Sequence, residues 1–351
     1  MSNSNYVRSL QVLFMGAVLS ACGSSSNDSG TATSDVGIRF SDAPVEELDA
    51  VMITVDKLTF NRSGDDIVVD TFTSEELNLI DSDTFQLNLL DYQGLESSLI
   101  LDSVKLPVGD YQNLRITIVQ DDDTYVHEIG SETNNELKVP SGELKLGGFT
   151  VSATSTQTFV VEFGLRQAMT YNPGPKRYIL KPRGVRIVRL EDAASITGTV
   201  DLSTVSCLPS DDTSLSHVAY LYEGHTLNSA LLGDVFVRAS DLDAPEDGED
   251  AHVPDTDYDA DVADTIIAPF VSASIDENGD YLFPYLNSGN YTVAVSCNAV
   301  ADNATLYDGI TVPSPAGLLV ELALEKEANM VCDFTEGLEV EACSVKEAIA
   351  E

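Results

Sequence analysis

The stretch Val51-Met52-Ile53-Thr54-Val55-Asp56-Lys57-Leu58-Thr59-Phe60 decides the fold class, because apolar and polar side chains alternate at its start. Every second residue from Val51 to Val55 falls on one face of an extended chain. Residues 114–119 and 158–163 form two more strands rich in β-branched and aromatic residues. Gly64-Asp65-Asp66 predicts a turn, and long stretches of helical periodicity are hard to find. The sequence therefore predicts an all-β protein.

Turn residues indicate how these strands connect. Asp42-Ala43-Pro44 predicts an Asx turn, and residues 107–110 and 140–142 predict hairpin loops. Residues 178–190 form another strand, whose proline and glycine indicate an edge position or a bulge. Short strands, frequent turns and no helix-rich crossovers favour an antiparallel β-sandwich.

Five short motifs in the first half resemble one known family. They are Ser41-Asp42-Ala43-Pro44-Val45, Leu106-Pro107-Val108-Gly109-Asp110-Tyr111, Leu114-Arg115, Val139-Pro140-Ser141-Gly142 and Leu180-Lys181-Pro182. In this order they resemble the lipoprotein domain of unknown function DUF4382, over residues 36–191. The resemblance implies no activity, and the motifs themselves are typical of turns rather than of chemistry.

A second unit, residues 195–335, carries the signature Asp276-Glu277-Asn278-Gly279-Asp280-Tyr281-Leu282-Phe283, then Gly289-Asn290-Tyr291-Thr292-Val293. It is similar to the carboxypeptidase regulatory-like (transthyretin-like) sandwich, which implies a stalk, spacer or accessory module without catalysis. Asn278-Gly279 predicts a turn with positive φ. The step from Phe283 to Leu286 breaks the alternation and predicts a bulge or bend near Pro284. The fold class expected is two Ig-like or transthyretin-like antiparallel β-sandwich domains in tandem.

The first residues indicate where the protein resides. Residues 1–21 have a short basic start, a short apolar core and small residues before Cys22, which is typical of a signal peptide. Leu19-Ser20-Ala21-Cys22 resembles the lipobox of bacterial lipoproteins, which implies acylation of Cys22, for instance with palmitate. Residues 22–35 predict a flexible tether. Because Gly23 is not Asp, the resemblance implies the outer membrane, facing the periplasm or the cell surface.

The composition limits the classes of partner that this chain is expected to bind. The 351 residues include 18 Lys and Arg against 58 Asp and Glu, a formal net charge of −40. Nucleic acid is excluded as an expected partner, because phosphate binding needs a basic surface. The partners expected are the membrane, through the lipid anchor, and a glycan or an envelope protein.

Four cysteines remain beyond Cys22, and all lie in the second half. In an exported chain they predict two disulfides, with three pairings open. We expect Cys207–Cys297 within one domain and Cys332–Cys343 as a local link. A zinc site is disfavoured, because no Cys-x-x-Cys pair is present.

Two charged segments carry the remaining site predictions. The acidic insertion 241–264 includes Asp257, Asp259 and Asp261, whose spacing suits Ca²⁺, although a solvated loop is the alternative. Residues 336–351 predict an acidic tail. Among the basic residues of 176–189, Lys181, Arg183 and Arg186 predict an anion site, with pairing to nearby carboxylates as the alternative. Ca²⁺ is the one cofactor that the sequence favours.

No catalytic motif is present in the sequence: there is no Gly-x-Ser-x-Gly, His-Glu-x-x-His or P-loop sequence, and the four His are scattered. The sequence therefore predicts a non-enzymatic, lipid-anchored envelope protein for binding, adhesion or scaffolding, with carbohydrate as a candidate ligand. The alternative is an envelope enzyme, or its accessory subunit, acting on polysaccharide or peptide.

Overall fold

The computed structural model describes residues 32–43, 48–172, 174–203, 217–236, 262–299, 302–303, 307–335 and 343–345. The chain divides after Thr31 into two units, and the second, Ala32–Glu351, contains every described residue. The predicted signal peptide and Cys22 therefore lie outside the described residues. So do nearly all of the acidic insertion and most of the predicted tail.

The first half of the chain contains most of the strands. In chain order they are β1 (Thr33–Asp42), β2 (Leu48–Arg62), β3 (Ile67–Val69), β4 (Phe72–Ser74), β5 (Leu79–Ser82), β6 (Phe85–Asn88), β7 (Ser98–Pro107), β8 (Gly109–Ile118), β9 (Tyr125–Glu128), β10 (Asn135–Lys138), β11 (Glu143–Lys145), β12 (Phe149–Val151), β13 (Thr156–Phe163), β14 (Met169–Asn172), β15 (Arg177–Leu180) and β16 (Val185–Arg189). A four-residue helix, α1 (Leu165–Ala168), and 3-10 turns at Leu89–Tyr92, Pro140–Gly142 and Leu190–Asp192 connect them.

These strands form the N-terminal sandwich. One sheet has the described order β16-β13-β1-β7, and the other runs β11-β8-β2-β9-β10-β15-β14 with β3, β6 and β12 attached; β4 and β5 pair separately. A single apolar core lies between the sheets, with Phe40, Phe60 and Phe163 fully buried. The all-β prediction is confirmed.

Strand β2 shows how the alternating pattern is kept in register. Val51, Ile53 and Val55 are fully buried, and so are Leu58 and Phe60. The shift from odd to even positions occurs where the register of β2 against β8 slips, between Val55 and Lys57. A bulge at this point keeps both sets of side chains facing the core.

Several connections differ from the predictions. The predicted loops at 107–110 and 140–142 do not close hairpins, because β7 and β8 belong to different sheets and β10 and β11 are not neighbours. Residues 178–190 are not one strand, since Pro182 and Gly184 (φ 73°) mark the passage from β15 to β16 in the other sheet. The chain thus uses these turn residues to cross between layers.

The second half contributes β17 (Ala194–Thr199), β18 (His217–Glu223), β19 (Val271–Ile275), β20 (Asp280–Leu286), β21 (Gly289–Ser296), β22 (Leu319–Leu324), β23 (Asn329–Val331) and β24 (Ser344–Val345), with a 3-10 turn at Ser229–Leu231. They form the C-terminal sandwich, with described sheets β20-β17-β23-β24 and β19-β18-β21-β22. Phe283, Val293 and Phe334 are fully buried between the sheets.

Three pairs of the described strands are parallel, namely β1 with β13, β10 with β15, and β17 with β23. Antiparallel pairing is otherwise the rule among the described strands, as the sequence predicts. Each parallel pair joins strands that are distant along the chain, so no local pattern announces it. The domain boundaries near residues 191 and 195 stay a prediction.

Two local predictions in the C-terminal sandwich are confirmed. Gly279 has a φ of 89°, and its backbone N–H donates to Asp276 O at 2.9 Å, which closes the predicted turn. The register of β17 against β20 shifts between Ala194 and Ile196, opposite Leu286 and Phe283. The predicted bulge near Pro284 is therefore present.

Strand β18 is buried on both faces. Ala219 and Leu221 face the core between the sheets, whereas Val218, Tyr220 and Tyr222 lie in a second apolar cluster outside it. Residues after β18 and before β22 cover this outer face. In the part of the chain that is described, no helix is long and apolar enough to cross a membrane.

Candidate functional site

The bulge in β20 directs Tyr285 towards the N-terminal sandwich. Tyr285 has a φ of 46°, and its hydroxyl donates to Leu95 O at 2.6 Å. Its ring packs with Val160 and Val188, which lie on the outer face of the four-stranded sheet. The residue that breaks the strand pattern is thus the one that joins the two sandwiches, and we call this contact region the junction.

Arg186 is the main polar link across the junction. Its guanidinium donates to Pro284 O at 2.7 Å and to Tyr285 O at 3.3 Å. It also lies 5.7 Å from the centre of the Phe270 ring, within reach of a cation–π interaction. The bulge frees carbonyl groups from the strand ladder, and Arg186 supplies donors for them.

A pair of buried carboxylates lies behind Arg186. Glu162 on β13 is the cross-strand neighbour of Arg186, and the two form an ion pair with an N–O distance of 2.8 Å. Burial raises the pKa of Glu162 to about 6, and the charge of Arg186 opposes this shift. Burial and the nearby Glu162 raise the pKa of Asp42 well above its ordinary value.

Asp42 differs from its predicted role. Both of its side-chain oxygens are buried and accept no hydrogen bond of normal geometry, although the N–H groups of Leu165 and Ala43 are near. The predicted Asx turn is therefore wrong, because an Asx turn needs the carboxylate as an acceptor. We call Asp42, Glu162 and Arg186 the Glu162 cluster.

A second arginine of the N-terminal sandwich reaches the C-terminal one. Arg166 on α1 forms an ion pair with Asp302, and their side chains are 8% and 0% exposed. Burial raises the pKa of Asp302, while Arg166 opposes the shift. The second oxygen of Asp302 is buried without a hydrogen bond, and the hydroxyl of Tyr220 lies nearby.

Asp234 completes this group of buried charges. One of its oxygens accepts from the N–H groups of Asp308 at 3.1 Å and Ile310 at 2.7 Å, and the other accepts none. Burial raises the pKa of Asp234 to about 6, and the charge of Asp302 adds to the shift. We call Arg166, Asp234 and Asp302 the Asp302 cluster.

The two clusters can hold protons and stabilise an interface. Each has two buried carboxylates and one guanidinium, so full ionisation leaves one buried negative charge in excess. Among the described residues, no group of three His, Cys, Asp or Glu is placed to hold a metal ion. The groups of the two clusters join the sandwiches.

Only some of the predicted site residues fall within the described ranges. Cys22, Cys207, Asp257, Asp259 and Asp261 lie outside the described residues, so acylation and Ca²⁺ binding stay predictions.

Of the predicted anion site, Arg186 belongs to the junction. Arg183 instead donates to Gln167 O at 2.9 Å and to the Thr170 hydroxyl at 2.8 Å, and burial lowers its pKa to about 10. Lys181 is on the turn between β15 and β16. Anion binding by these three residues stays a prediction.

The cysteines are better defined. Cys332 and Cys343 form a disulfide, as predicted, with an S–S distance of 2.03 Å. Cys297 is also disulfide-bonded. Its predicted partner Cys207 lies outside the described residues, so that pairing stays a prediction.

A groove of about 320 Å³ opens at the junction. Arg39, Leu95 and Tyr285 line it from both sandwiches, together with Asn329. The polar wall is already engaged, since Arg39 donates to both carboxylate oxygens of Glu76 and to Ser97. The groove is large enough for a small ligand.

Apart from Arg186, the junction residues were not predicted as site residues. Phe159, Val160 and Val161 are all buried in β13, which breaks the simple alternation of a one-sided strand. Glu162 within this run was the available signal, because a charge in a strand buried on both faces needs a partner. Asp234 and Asp302 carried no such signal in so acidic a chain.

Comparison with known families assigns the first sandwich. Residues 33–182 match the model described as "Domain of unknown function (DUF4382)". This part of the chain is a DUF4382 domain. The match supports the resemblance drawn from the five motifs, while no curated protein matches the chain.

The solved structures that match this chain have low sequence identity and low TM-scores. The minor pilin GBS52 of Streptococcus agalactiae is 9% identical, with 90% of this chain and 99% of that chain covered and a TM-score of 0.18. A candidate cell adhesion protein of Bacteroides uniformis is 7% identical, with 89% of this chain and 98% of that chain covered and a TM-score of 0.21. The tip fimbrial protein Mfa3 of Porphyromonas gingivalis is 9% identical, with 90% and 98% covered and a TM-score of 0.21.

The chain spans 34% of the Bacillus anthracis TIE protein and 64% of a streptococcal ancillary pilin, to which it is also similar.

Proposed function

We propose that this chain is a non-enzymatic envelope protein that serves as a scaffold or adhesin, anchored in the outer membrane by a lipid on Cys22. The observation that carries the proposal is the junction, where Arg186, Arg166 and Tyr285 fix one sandwich against the other. A pair of domains joined in this way suits a spacer that holds a surface at a fixed distance from a membrane.

The connection between the sandwiches supports a spacer role. Strand β16 ends at Arg189, a 3-10 turn follows at Leu190–Asp192, and β17 begins at Ala194. Asp192 in this turn accepts from Lys326 Nζ at 2.9 Å. Relative domain motion is the usual expectation unless the interface between domains is large and hydrophobic. Here the linker is short and tied to the second sandwich.

The charges of the chain support binding rather than turnover. Three buried acids of these clusters are engaged, Glu162 and Asp302 by arginines and Asp234 by backbone N–H groups. A net charge of −40 keeps such a body soluble and away from anionic surfaces. Its ligand would be a glycan or an envelope protein.

Acylation is tested by expressing the full chain and Cys22→Ser in a Gram-negative host with an alkyne analogue of palmitate. We expect label in the outer-membrane fraction for the natural chain and none for Cys22→Ser. Protease added to intact cells then reports whether the body faces the surface. An unlabelled natural chain found free in the periplasm would overturn the anchor.

Binding is tested with the chain from Gly23 onward on a glycan array and in pull-downs from outer-membrane extracts, each with Ca²⁺ and with a chelator. Reproducible glycan binding supports an adhesin, and capture of one envelope protein supports a scaffold. Turnover of any envelope polysaccharide or peptide would overturn the proposal.

A further inference from the structure

The two buried clusters share one design. In each, an arginine of the N-terminal sandwich pairs with one buried carboxylate, and a second buried carboxylate lies close by. In the Glu162 cluster the second acid is Asp42, and in the Asp302 cluster it is Asp234. Both clusters lie at contacts between the sandwiches, through the carbonyl groups at Pro284 and through the Arg166–Asp302 pair.

Each cluster has one more acid than base. With both carboxylates ionised, it carries an uncompensated negative charge away from water, which is costly in a medium of low dielectric constant. Several oxygens also lack hydrogen-bond partners, namely both of Asp42, one of Asp234 and one of Asp302. One proton per cluster removes the excess charge and turns one acid into a donor.

We propose that the junction is a proton-operated latch, in which uptake of one proton by each cluster holds the two sandwiches firmly together. Loss of these protons drives water towards the clusters. The segment at Pro284 and Tyr285 binds Arg186 and thereby covers the Glu162 cluster, so hydration of this cluster loosens that contact. This inference does not depend on the lipid anchor or on any ligand.

The groups around the two clusters leave the buried carboxylates as the groups that respond to pH. Near the Glu162 cluster, Tyr291 of the C-terminal sandwich lies within electrostatic range of Arg186 and Glu223. The Asp302 cluster is faced by Tyr220, Tyr222 and Asp308. Burial raises the pKa of Tyr220 and of Tyr222 further from neutrality.

The direction of the response follows from the raised pKa values. Glu162 and Asp234 have pKa values of about 6, above the ordinary 4.5 and 3.8, so the closed junction keeps protons that an open one releases. As the pH rises through this window, the protons leave and the junction loosens. The latch is therefore closed in mildly acidic surroundings and loose in alkaline ones.

The test measures the distance between the sandwiches in the full chain. Spin labels at Ile80→Cys, on an exposed position of β5, and at Ala323→Cys, on an exposed position of β22, report it by double electron–electron resonance. We expect a narrow distance distribution near pH 5 and one about twice as wide near pH 8, in about 0.5 M NaCl to screen the surface charges.

The variant Glu162→Gln with Asp234→Asn leaves one carboxylate for each guanidinium. We expect this chain to keep the narrow distribution at both pH values. Glu143→Gln is the matched control, because Glu143 pairs with Arg115 on the far sheet and not at the junction. It should respond to pH as the natural chain does.

Equal widths at the two pH values in the natural chain would overturn the proposal, whatever the variants do. So would a pH response that persists in the double variant. If the double variant does not fold, Asp234→Asn alone is measured, and it must reduce the pH response. These outcomes concern only the junction, so they leave the envelope function to its own tests.

Discussion

The two sandwiches are built differently, although both bury alternating β-strands. The N-terminal sandwich has one continuous core between a four-stranded and a larger sheet. The C-terminal sandwich divides its apolar residues between two clusters on either side of β18, and it has the disulfide Cys332–Cys343. A small core removes less apolar surface from water on folding, so covalent links add stability where burial is limited.

The difference also explains where the buried charges lie. The outer face of β18 is covered by irregular segments, and their backbone groups need partners inside the protein. One carboxylate oxygen of Asp234 accepts from two of these backbone groups, the N–H of Asp308 and the N–H of Ile310. The N-terminal sandwich needs no such device within its core, and its buried acids lie near the junction instead.

The largest expected effect comes from removing one core ring in each sandwich. Phe40 and Phe283 are both fully buried, and Phe40 packs edge to face against Phe163 at 5.2 Å. We expect Phe40→Ala and Phe283→Ala each to lower the free energy of unfolding by about 4 kcal/mol. Calorimetry should show a single transition that both variants lower, because the junction couples the sandwiches.

The control is Val68→Ala, at a position 52% exposed, which should change stability by less than about 0.5 kcal/mol. Two separate transitions, each lowered by only one of the core variants, would show that the sandwiches unfold independently.

A smaller effect is expected from the disulfide that distinguishes the C-terminal sandwich. The pair Cys332→Ser and Cys343→Ser opens a link with a sequence separation of 11, which should cost about 3 kcal/mol through the entropy of the unfolded chain. Urea unfolding followed by circular dichroism measures it. Because Cys297 is bonded too, substitution is a cleaner change than a reducing agent. An unchanged midpoint would mean that the small core suffices.

The pH dependence should be opposite to that of a protein stabilised by exposed ion pairs. Folded Glu162 has a pKa of about 6 rather than 4.5, so stability falls as the pH rises through that interval, by about 2 kcal/mol from this group. Asp35, with a lowered pKa, acts in the other direction only under more acidic conditions. Melting temperatures between about pH 5 and pH 8 measure the combined effect of these groups on stability.

Glu162→Gln should flatten this pH profile, whereas Glu143→Gln should leave its slope unchanged. A natural chain that becomes more stable as the pH rises would contradict the assignment of raised pKa values to the buried acids.

The smallest effect is expected at Tyr285. Tyr285→Phe keeps the ring between Val160 and Val188 and removes the hydrogen bond to Leu95 O. We expect the free energy of unfolding to fall by about 1 kcal/mol. The distribution of distances between the sandwiches should become broader, with each core intact. Hydrogen exchange of the core strands should stay as in the natural chain, and faster exchange there would show that the ring itself is displaced.

Local features were predictable from the sequence, and long-range ones were not. The alternation in β2, the turn at Gly279 and the bulge near Pro284 follow from residues close together in the chain. The turns at 107–110 and 140–142 were recognised as turns, but the strands that they join were predicted wrongly. Turn residues fix a local reversal, while the sheet that receives the next strand depends on distant contacts.

The junction shows the same limit. Arg166 and Asp302 are separated by 136 positions along the chain, and Arg186 and Pro284 by 98. In a chain with 58 acidic residues, charge alone does not identify which carboxylate an arginine will meet. Only the fold brings them together.

The bulge in β20 has a consequence for how tandem modules evolve. One added residue turns Tyr285 outward and leaves Phe283 and Leu286 in the core, at exposures of 4%, 0% and 0%. A single extra residue thus gives β20 an outward contact with Val160 and Val188 while its inward side chains stay in the core. A contact between neighbouring modules can therefore be added to a strand by one inserted residue, with no need for a newly evolved surface.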